Sequence, residues 1–280
     1  MKRDNILFSV VIILLSAMVG GALSLIISKS IYFGPAEIPK PSATPSTAVT
    51  GKNYSVSFNP PQPQEAPPEI RDAVLLGYNI LMDTQKYAPQ FVGNKMNCKN
   101  CHFEAGRAMK GVSLVGVGAA YPWYKERHRD SVNLVTRTND CFERSMNGRP
   151  LPSDSKEMNA IVTYYQWISK GLPIYADIPW LGLKHIESTH QPNPIKGKEV
   201  YGQKCMACHG DNGQGTPIAP PLWGKDSFND GASMAKLAYL AAFTHKFMPQ
   251  GNPDLTEKEA LDVAAFGTGQ PRPHFVPKRK

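Results

Sequence analysis

The sequence predicts an all-α protein of two tandem helical units carried behind an apolar leader and a proline-rich tether. Three observations lead there: an uncharged apolar run near the N-terminus, a stretch dominated by Pro, Ser and Thr, and two C-x-x-C-H motifs in similar surroundings. The 280 residues are 41% hydrophobic, enough for a buried core, while 25 prolines and a charged fraction of 19% suit a chain that is extended in part.

After Lys2 and Arg3, the run from Ile6 to Ile27 carries no charge. As a helix it is about 33 Å long, sufficient to span a bilayer. A cleavable signal has a shorter apolar region, about 7–15 residues, followed by a small-x-small site; here Ala22-Leu23-Ser24 lies inside the run. Residues 1–33 are therefore expected to be a signal anchor, or transmembrane segment, with the rest of the chain exported. That places the protein at the periplasmic face of the cytoplasmic membrane, or free in the periplasm if the segment is cleaved. Residues 34–68 include KPSATPSTAV and NPPQPQEAPP, which cannot build a core and favour solvated polyproline geometry, so they are expected to form a linker.

The formal charge of +8 raises nucleic acid as a partner, but an exported chain rarely meets any and no basic helix or RNA-binding signature is present. Small anions and acidic redox partners fit better.

The five cysteines are Cys98, Cys101, Cys141, Cys205 and Cys208, of which two pairs precede a histidine: Cys98-Lys-Asn-Cys101-His102 and Cys205-Met-Ala-Cys208-His209. This spacing suits covalent haem, two thiols adding to the vinyl groups while the adjacent imidazole reaches the iron. A zinc knuckle or a redox dithiol is the alternative for one such motif, and is much weakened by two in matching surroundings. Two haem c groups are expected, on Cys98, Cys101 and His102 and on Cys205, Cys208 and His209.

Gly77-Tyr78-Asn79-Ile80-Leu81 precedes the first motif and Gly197-Lys198-Glu199-Val200-Tyr201 the second, each reading as a short helix whose glycine permits close packing. An apolar-aromatic helix follows each site, at Ile161–Ile168 and Glu259–Phe266. This arrangement resembles class I cytochromes c, in which the two helices cross. The expected domains are therefore 69–180 and 195–280, joined through the proline-containing segment 181–194, where long helix is disfavoured.

Met248, in Lys246-Phe247-Met248-Pro249, resembles the methionine ligand of cytochromes c and lies 39 residues after His209; the residue 39 positions after His102 is Cys141. Cys141 is thus expected on the first iron, with Met146 as its rival. Met248 is expected on the second, with His245 and Lys246 near enough in sequence to substitute. Thiolate lowers the potential and thioether raises it, which makes the first haem the chemical site and the second the electron exit. Eight basic residues against four acids lie between Arg107 and Arg149, around that cysteine. Arginine suits oxyanions through its planar fork of donors, and Arg137, four residues before Cys141, is the first candidate for substrate contact.

Arg137-Thr138-Asn139-Asp140-Cys141-Phe142-Glu143-Arg144-Ser145-Met146-Asn147-Gly148, together with both haem motifs, resembles the dihaem thiosulfate dehydrogenases over about residues 69 to 275. The resemblance implies coupling of two thiosulfates to tetrathionate, with electrons leaving through the second haem to an external acceptor such as a small cytochrome c. It implies that His102 and Cys141 ligate the active-site haem, and His209 and Met248 the second. It also implies that Cys141 carries a covalent sulfur adduct and that Arg127, Arg137 and Ser145 hold the sulfonate. Family members with a switching ligand have lysine immediately before the methionine; here Phe247 stands there. The alternatives are the reductase direction of the same reaction, a non-catalytic tethered electron shuttle, and a related sulfur cytochrome whose cysteine is persulfidated within a carrier system.

Overall fold

In the first helical unit, helix α1 (Pro68–Met82) starts with proline in its first turn, where the missing N–H costs nothing, and stops at Asp83, whose carboxylate then caps the short α2 (Thr84–Tyr87). A computed structural model describes residues 56–174 and 176–277. The expected anchor (1–33) and residues 34–55 of the expected linker lie outside the described residues. Among the described residues no helix is long and apolar enough to cross a membrane.

After the first haem motif come α3 (Val117–Ala120), strands β1 (Trp123–Lys125) and β2 (Asp130–Val132), and α4 (Leu134–Asp140), which runs directly into a π-turn at Cys141–Ser145. Helix α5 (Lys156–Ile168) closes the unit, its first turn capped by the Ser155 hydroxyl. The second unit has α6 (Pro194–Lys204), α7 (Met206–His209), α8 (Leu237–Phe247) and α9 (Glu257–Thr268). Asn193 caps α6, and Thr256 and Glu259 form a reciprocal capping box on α9.

The two units repeat one plan. Helix α1 crosses α5, and α6 crosses α9, each crossing having a glycine at its closest point. A β-carbon on Gly77 would collide with the Ala160 carbonyl, and one on Gly197 with the carbonyl of Asp262. The faces that meet are apolar: Val74, Ile80 and Leu81 with Ile161, Tyr164 and Ile168 in the first unit, Tyr201 with Ala260 and Val263 in the second.

Three features depart from the sequence reading. The fold is helix-rich but not all-α, because Trp123, Tyr124 and Lys125 pair antiparallel with Val132, Ser131 and Asp130. Three-residue strands show too little alternation to be read from sequence, and their turn holds Arg129, not glycine, at φ 52°. Residues 56–67 do not behave as a free tether: Phe58 packs edge-on to Trp180 at 5.2 Å, Pro63 and Ala66 are buried, and the Trp167 indole donates to Gln62 O at 3.0 Å. Finally, the stretch from Phe228 to Ala235 comes from the second half of the sequence but packs into the first core, beside Phe142 and Met146. The described residues accordingly belong to a single compact unit.

Within α6 the two glycines should respond oppositely to Ala. Gly197→Ala forces the crossing apart and should cost about 1–3 kcal/mol. Gly202→Ala meets no atom within 4 Å and should stabilise by about 0.4–1 kcal/mol. Scanning calorimetry of the holoprotein checks both signs.

Candidate active site

Cys98 opens a 3-10 turn capped by Asn97, and its N–H donates to the Thr84 hydroxyl at 3.0 Å. The next residue after Cys101, His102, has Nδ1 2.6 Å from Val112 O, which fixes this nitrogen as the donor and leaves Nε2 free for a metal. The second motif repeats the device: α7 carries Cys208 and His209 on a single turn, and His209 Nδ1 lies 2.8 Å from Pro220 O. None of the five cysteines is in a disulfide.

Cys205, Cys208, His209 and Met248 line one cavity of about 690 Å³, with Trp223 and Phe247 among its apolar walls. Two thiols, an imidazole and a thioether in an apolar cavity of this size suit a covalently attached haem. Cys98, Cys101, His102 and Cys141 line a second, narrow cavity of about 40 Å³ with Ser145 and Met146. Two thiols, an imidazole and a third cysteine form a donor set that suits haem as well. Met96, Cys101, Phe228 and Met234 line both cavities, so single side chains divide them.

Cys141 sits at the junction of α4 and the π-turn. Helical i, i+4 spacing puts Arg137 on the same face, and its Nη1 donates to Cys141 Sγ at 2.9 Å. Burial pushes the Cys141 thiol up, but the Arg137 guanidinium and His102 beside it more than offset this and bring it down to about 7. The neighbouring haem-motif thiols have no such partner, and burial pushes Cys98 and Cys101 up to about 12. Among three cysteines at one cavity, Cys141 is the one built to be a thiolate.

The π-turn is held from both sides. Asn94 donates to Ser145 O at 2.9 Å and Ser227 O at 3.0 Å, while Asn229 donates to Glu143 O at 2.8 Å and Asn147 Oδ1 at 3.0 Å. Both asparagines are buried. Buried Asp140, the residue before Cys141, gathers three further groups: His128 Nε2 at 2.9 Å, Arg144 Nε at 3.3 Å and Arg127 Nη1 at 3.7 Å. Burial acts to raise the Asp140 carboxyl, but His128 and the arginines hold it below the usual range.

The structure therefore brings Cys141, Arg137, Ser145 and His102 together, and places Arg127 one residue further out, on Asp140 and on the Ser233 hydroxyl at 3.4 Å. Met146 lines the same cavity but is buried in the core cluster with Phe142. His245 turns its Nδ1 to Leu255 O at 2.8 Å and does not line the cavity that holds Met248, whereas Lys246 does. Sequence reasoning missed Asn94, Asn229 and Tyr121, whose hydroxyl lies beside the Arg137 guanidinium. Only long-range packing brings them there, and no spacing in the sequence signals it.

Residues 87–174 match the family model of the SoxA/TsdA cytochrome c domain, and residues 192–266 that of cytochrome c oxidase, cbb3-type, subunit III. The chain is 38% identical over 247 residues to a thiosulfate dehydrogenase of Stutzerimonas stutzeri, covering 85% of this chain and 80% of that protein. It is 38% identical over 217 residues to a thiosulfate dehydrogenase of Allochromatium vinosum, covering 74% and 80%. Among solved structures it is similar to the as-isolated thiosulfate dehydrogenase TsdBA from Marichromatium purpuratum, with a TM-score of 0.74 and 28% identity over 77% of this chain. It spans half of that longer chain.

Asn229→Ala takes the side-chain donor away from the Glu143 carbonyl of the π-turn and from Asn147 Oδ1 just beyond it, and should destabilise the protein by about 1–3 kcal/mol. Denaturant unfolding of the holoprotein measures this, and the absorption spectrum of the first haem should broaden while that of the second is retained.

Proposed function

Because this chain belongs to the thiosulfate dehydrogenase family, we propose that it couples two thiosulfates into tetrathionate at Cys141 and passes the two electrons from the first haem site to the second. It is an exported dihaem thiosulfate-oxidising cytochrome c, with two covalently bound haem c groups. The observation that carries the reading of the site is the 2.9 Å hydrogen bond from Arg137 to the Cys141 sulfur.

The haems, when bound, supply two one-electron acceptors, matching a two-electron coupling. The residues do the remainder. Cys98 and Cys101 form the thioether links of the first group and Cys205 and Cys208 those of the second. His102 and Cys141 are the proposed ligands of the first iron, and His209 and Met248 of the second. Arg137 keeps Cys141 ionised and, with Arg127 and Ser145, receives the sulfonate of an incoming thiosulfate. The Cys141 thiolate forms an S–S bond to the sulfane sulfur, releasing two electrons and leaving a cysteinyl thiosulfonate monoanion. A second thiosulfate attacks that sulfane sulfur, the new S–S bond forms as the bond to Cys141 breaks, and tetrathionate leaves with the thiolate restored. Charge and sulfur balance in both steps. Run backwards, the same steps reduce tetrathionate, and the relative potentials of the two haems and the external partner set the direction.

The short partition between the cavities, formed by Met96, Cys101, Phe228 and Met234, supports transfer from the first site to the second. Lys99, Lys110 and Lys246 at the second cavity suit an acidic electron acceptor, such as a small cytochrome. The apolar run Ile6–Ile27 is proposed to hold the enzyme at the membrane.

Cys141→Ala should keep both haems attached, with unchanged haem content per chain, and abolish thiosulfate-dependent reduction of ferricyanide. A wild-type rate in that variant would remove Cys141 from the chemistry. Arg137→Gln removes a charge-assisted contact of about 1.5–3 kcal/mol, so kcat/KM should fall about 10- to 100-fold with both haems still bound. Low-temperature EPR of the oxidised protein should show a low-spin thiolate-ligated haem in the wild type and none in Cys141→Ala.

A further inference from the structure

The coupling reaction brings two dianions into contact, and the groups around Cys141 account for the sulfonate of only one of them. The hairpin β1–β2 supplies a further cation. Lys125 ends β1 opposite Asp130, but among the described residues it pairs with no carboxylate. Asp130 instead accepts from the N–H of Ser131 at 2.6 Å. The Lys125 ammonium lies over the Trp123 ring at 4.0 Å and is 5.6 Å from the centre of the Tyr121 ring. Trp123 is two residues back on the same strand, so the two side chains share one face.

Tyr121 connects this face to the reacting sulfur, since its hydroxyl lies beside Arg137, and Arg137 donates to Cys141. Arg127, from the turn of the same hairpin, reaches Asp140 next to Cys141. The buried carboxylate whose charge acts on Lys125 is also Asp140, which is already committed to His128, Arg127 and Arg144. Burial, together with the neighbouring Arg137 and Arg127, holds the Lys125 ammonium below the usual lysine range. Lys125, Arg127 and Arg137 thus crowd together with too little negative charge among them, a deficit that a second small dianion fills.

We propose that Lys125, with Tyr121 and Trp123 as its wall, forms an outer anion position that holds the sulfonate of the second thiosulfate and, after coupling, the distal sulfonate of tetrathionate. This rests on the coupling reaction proposed above. In the product two sulfur atoms separate the sulfonates, so one ligand occupies the inner position at Arg137 and the outer one at Lys125 together. The outer position orients the second thiosulfate towards the sulfane sulfur on Cys141 and offsets the repulsion between two like-charged reactants.

Two inert probes separate the positions: methanesulfonate, with one sulfonate, and ethane-1,2-disulfonate, whose sulfonates are separated by two atoms as in tetrathionate. Equilibrium dialysis of the oxidised holoprotein should show the disulfonate bound more tightly than the monosulfonate by the wild type. Lys125→Gln should lose that preference, weakening the disulfonate about tenfold while leaving methanesulfonate unchanged, and Lys125→Arg should retain it. The KM for thiosulfate should rise in Lys125→Gln with both haem spectra intact. The proposal is overturned if the wild type shows no preference, if Lys125→Gln keeps the wild-type ratio, or if both probes weaken equally. Dialysis decides the outer position without turnover, whereas a wild type that binds the disulfonate but oxidises no thiosulfate would overturn the coupling reaction instead.

Discussion

A thiolate inside a protein is tolerated only where fixed positive charge stands against it, and the rest of this structure is arranged around that requirement at Cys141. Burial, helped by the charge of neighbouring cysteines, takes the other thiols of the same cavity up to about 12, whereas the Arg137 guanidinium, with His102, brings Cys141 down to about 7. Arg137 reaches the sulfur because α4 puts the two residues one helical turn apart. The helix then widens into a π-turn, the kind of local irregularity that often marks functional sites, and its carbonyls need partners that the helix itself does not supply.

Those partners join the two cytochrome units. Asn94 comes from the first unit and ties Ser145 O of the π-turn to Ser227 O of the second, while Asn229 comes from the second and donates to Glu143 O of the π-turn and to Asn147 Oδ1. The segment that carries Asn229 also supplies Phe228 and Ala232 to the first core, and the C-terminal Phe275 lies 4.1 Å from the Arg144 guanidinium. The second unit therefore forms part of the wall and bracing of the first. A shared wall also suits the electron transfer proposed above, because packing around both cavities holds the distance between them fixed.

The surrounding charges follow from the same constraint. Four cationic groups, Lys125, Arg127, Arg137 and Arg144, gather near one buried carboxylate, Asp140, and one thiolate. Asp140 orders the arginines without neutralising the site, leaving a positive surplus that suits the small divalent anions of the proposed reaction. The β-hairpin contributes two of these cations, Lys125 and Arg127.

Much of this was legible in the sequence. Two C-x-x-C-H motifs, glycine-centred helices before them and apolar helices after them specify the repeated crossing, because a glycine at a helix crossing and a proximal histidine beside two thiols are short-range requirements. The equal spacing of Cys141 and Met248 likewise marked the candidate ligands, and Arg137 followed from its position one turn earlier. Tertiary structure alone decided the rest: that residues 56–67 pack on the core, that His245 faces Leu255 while Lys246 lines the cavity, and that Asn94, Asn229 and Tyr121 belong to the site. Residue type and local spacing determine which groups are capable of the chemistry. Which backbone carbonyls are left without partners, and which distant side chain reaches them, depends on contacts between segments more than 80 residues apart, and no local pattern encodes these.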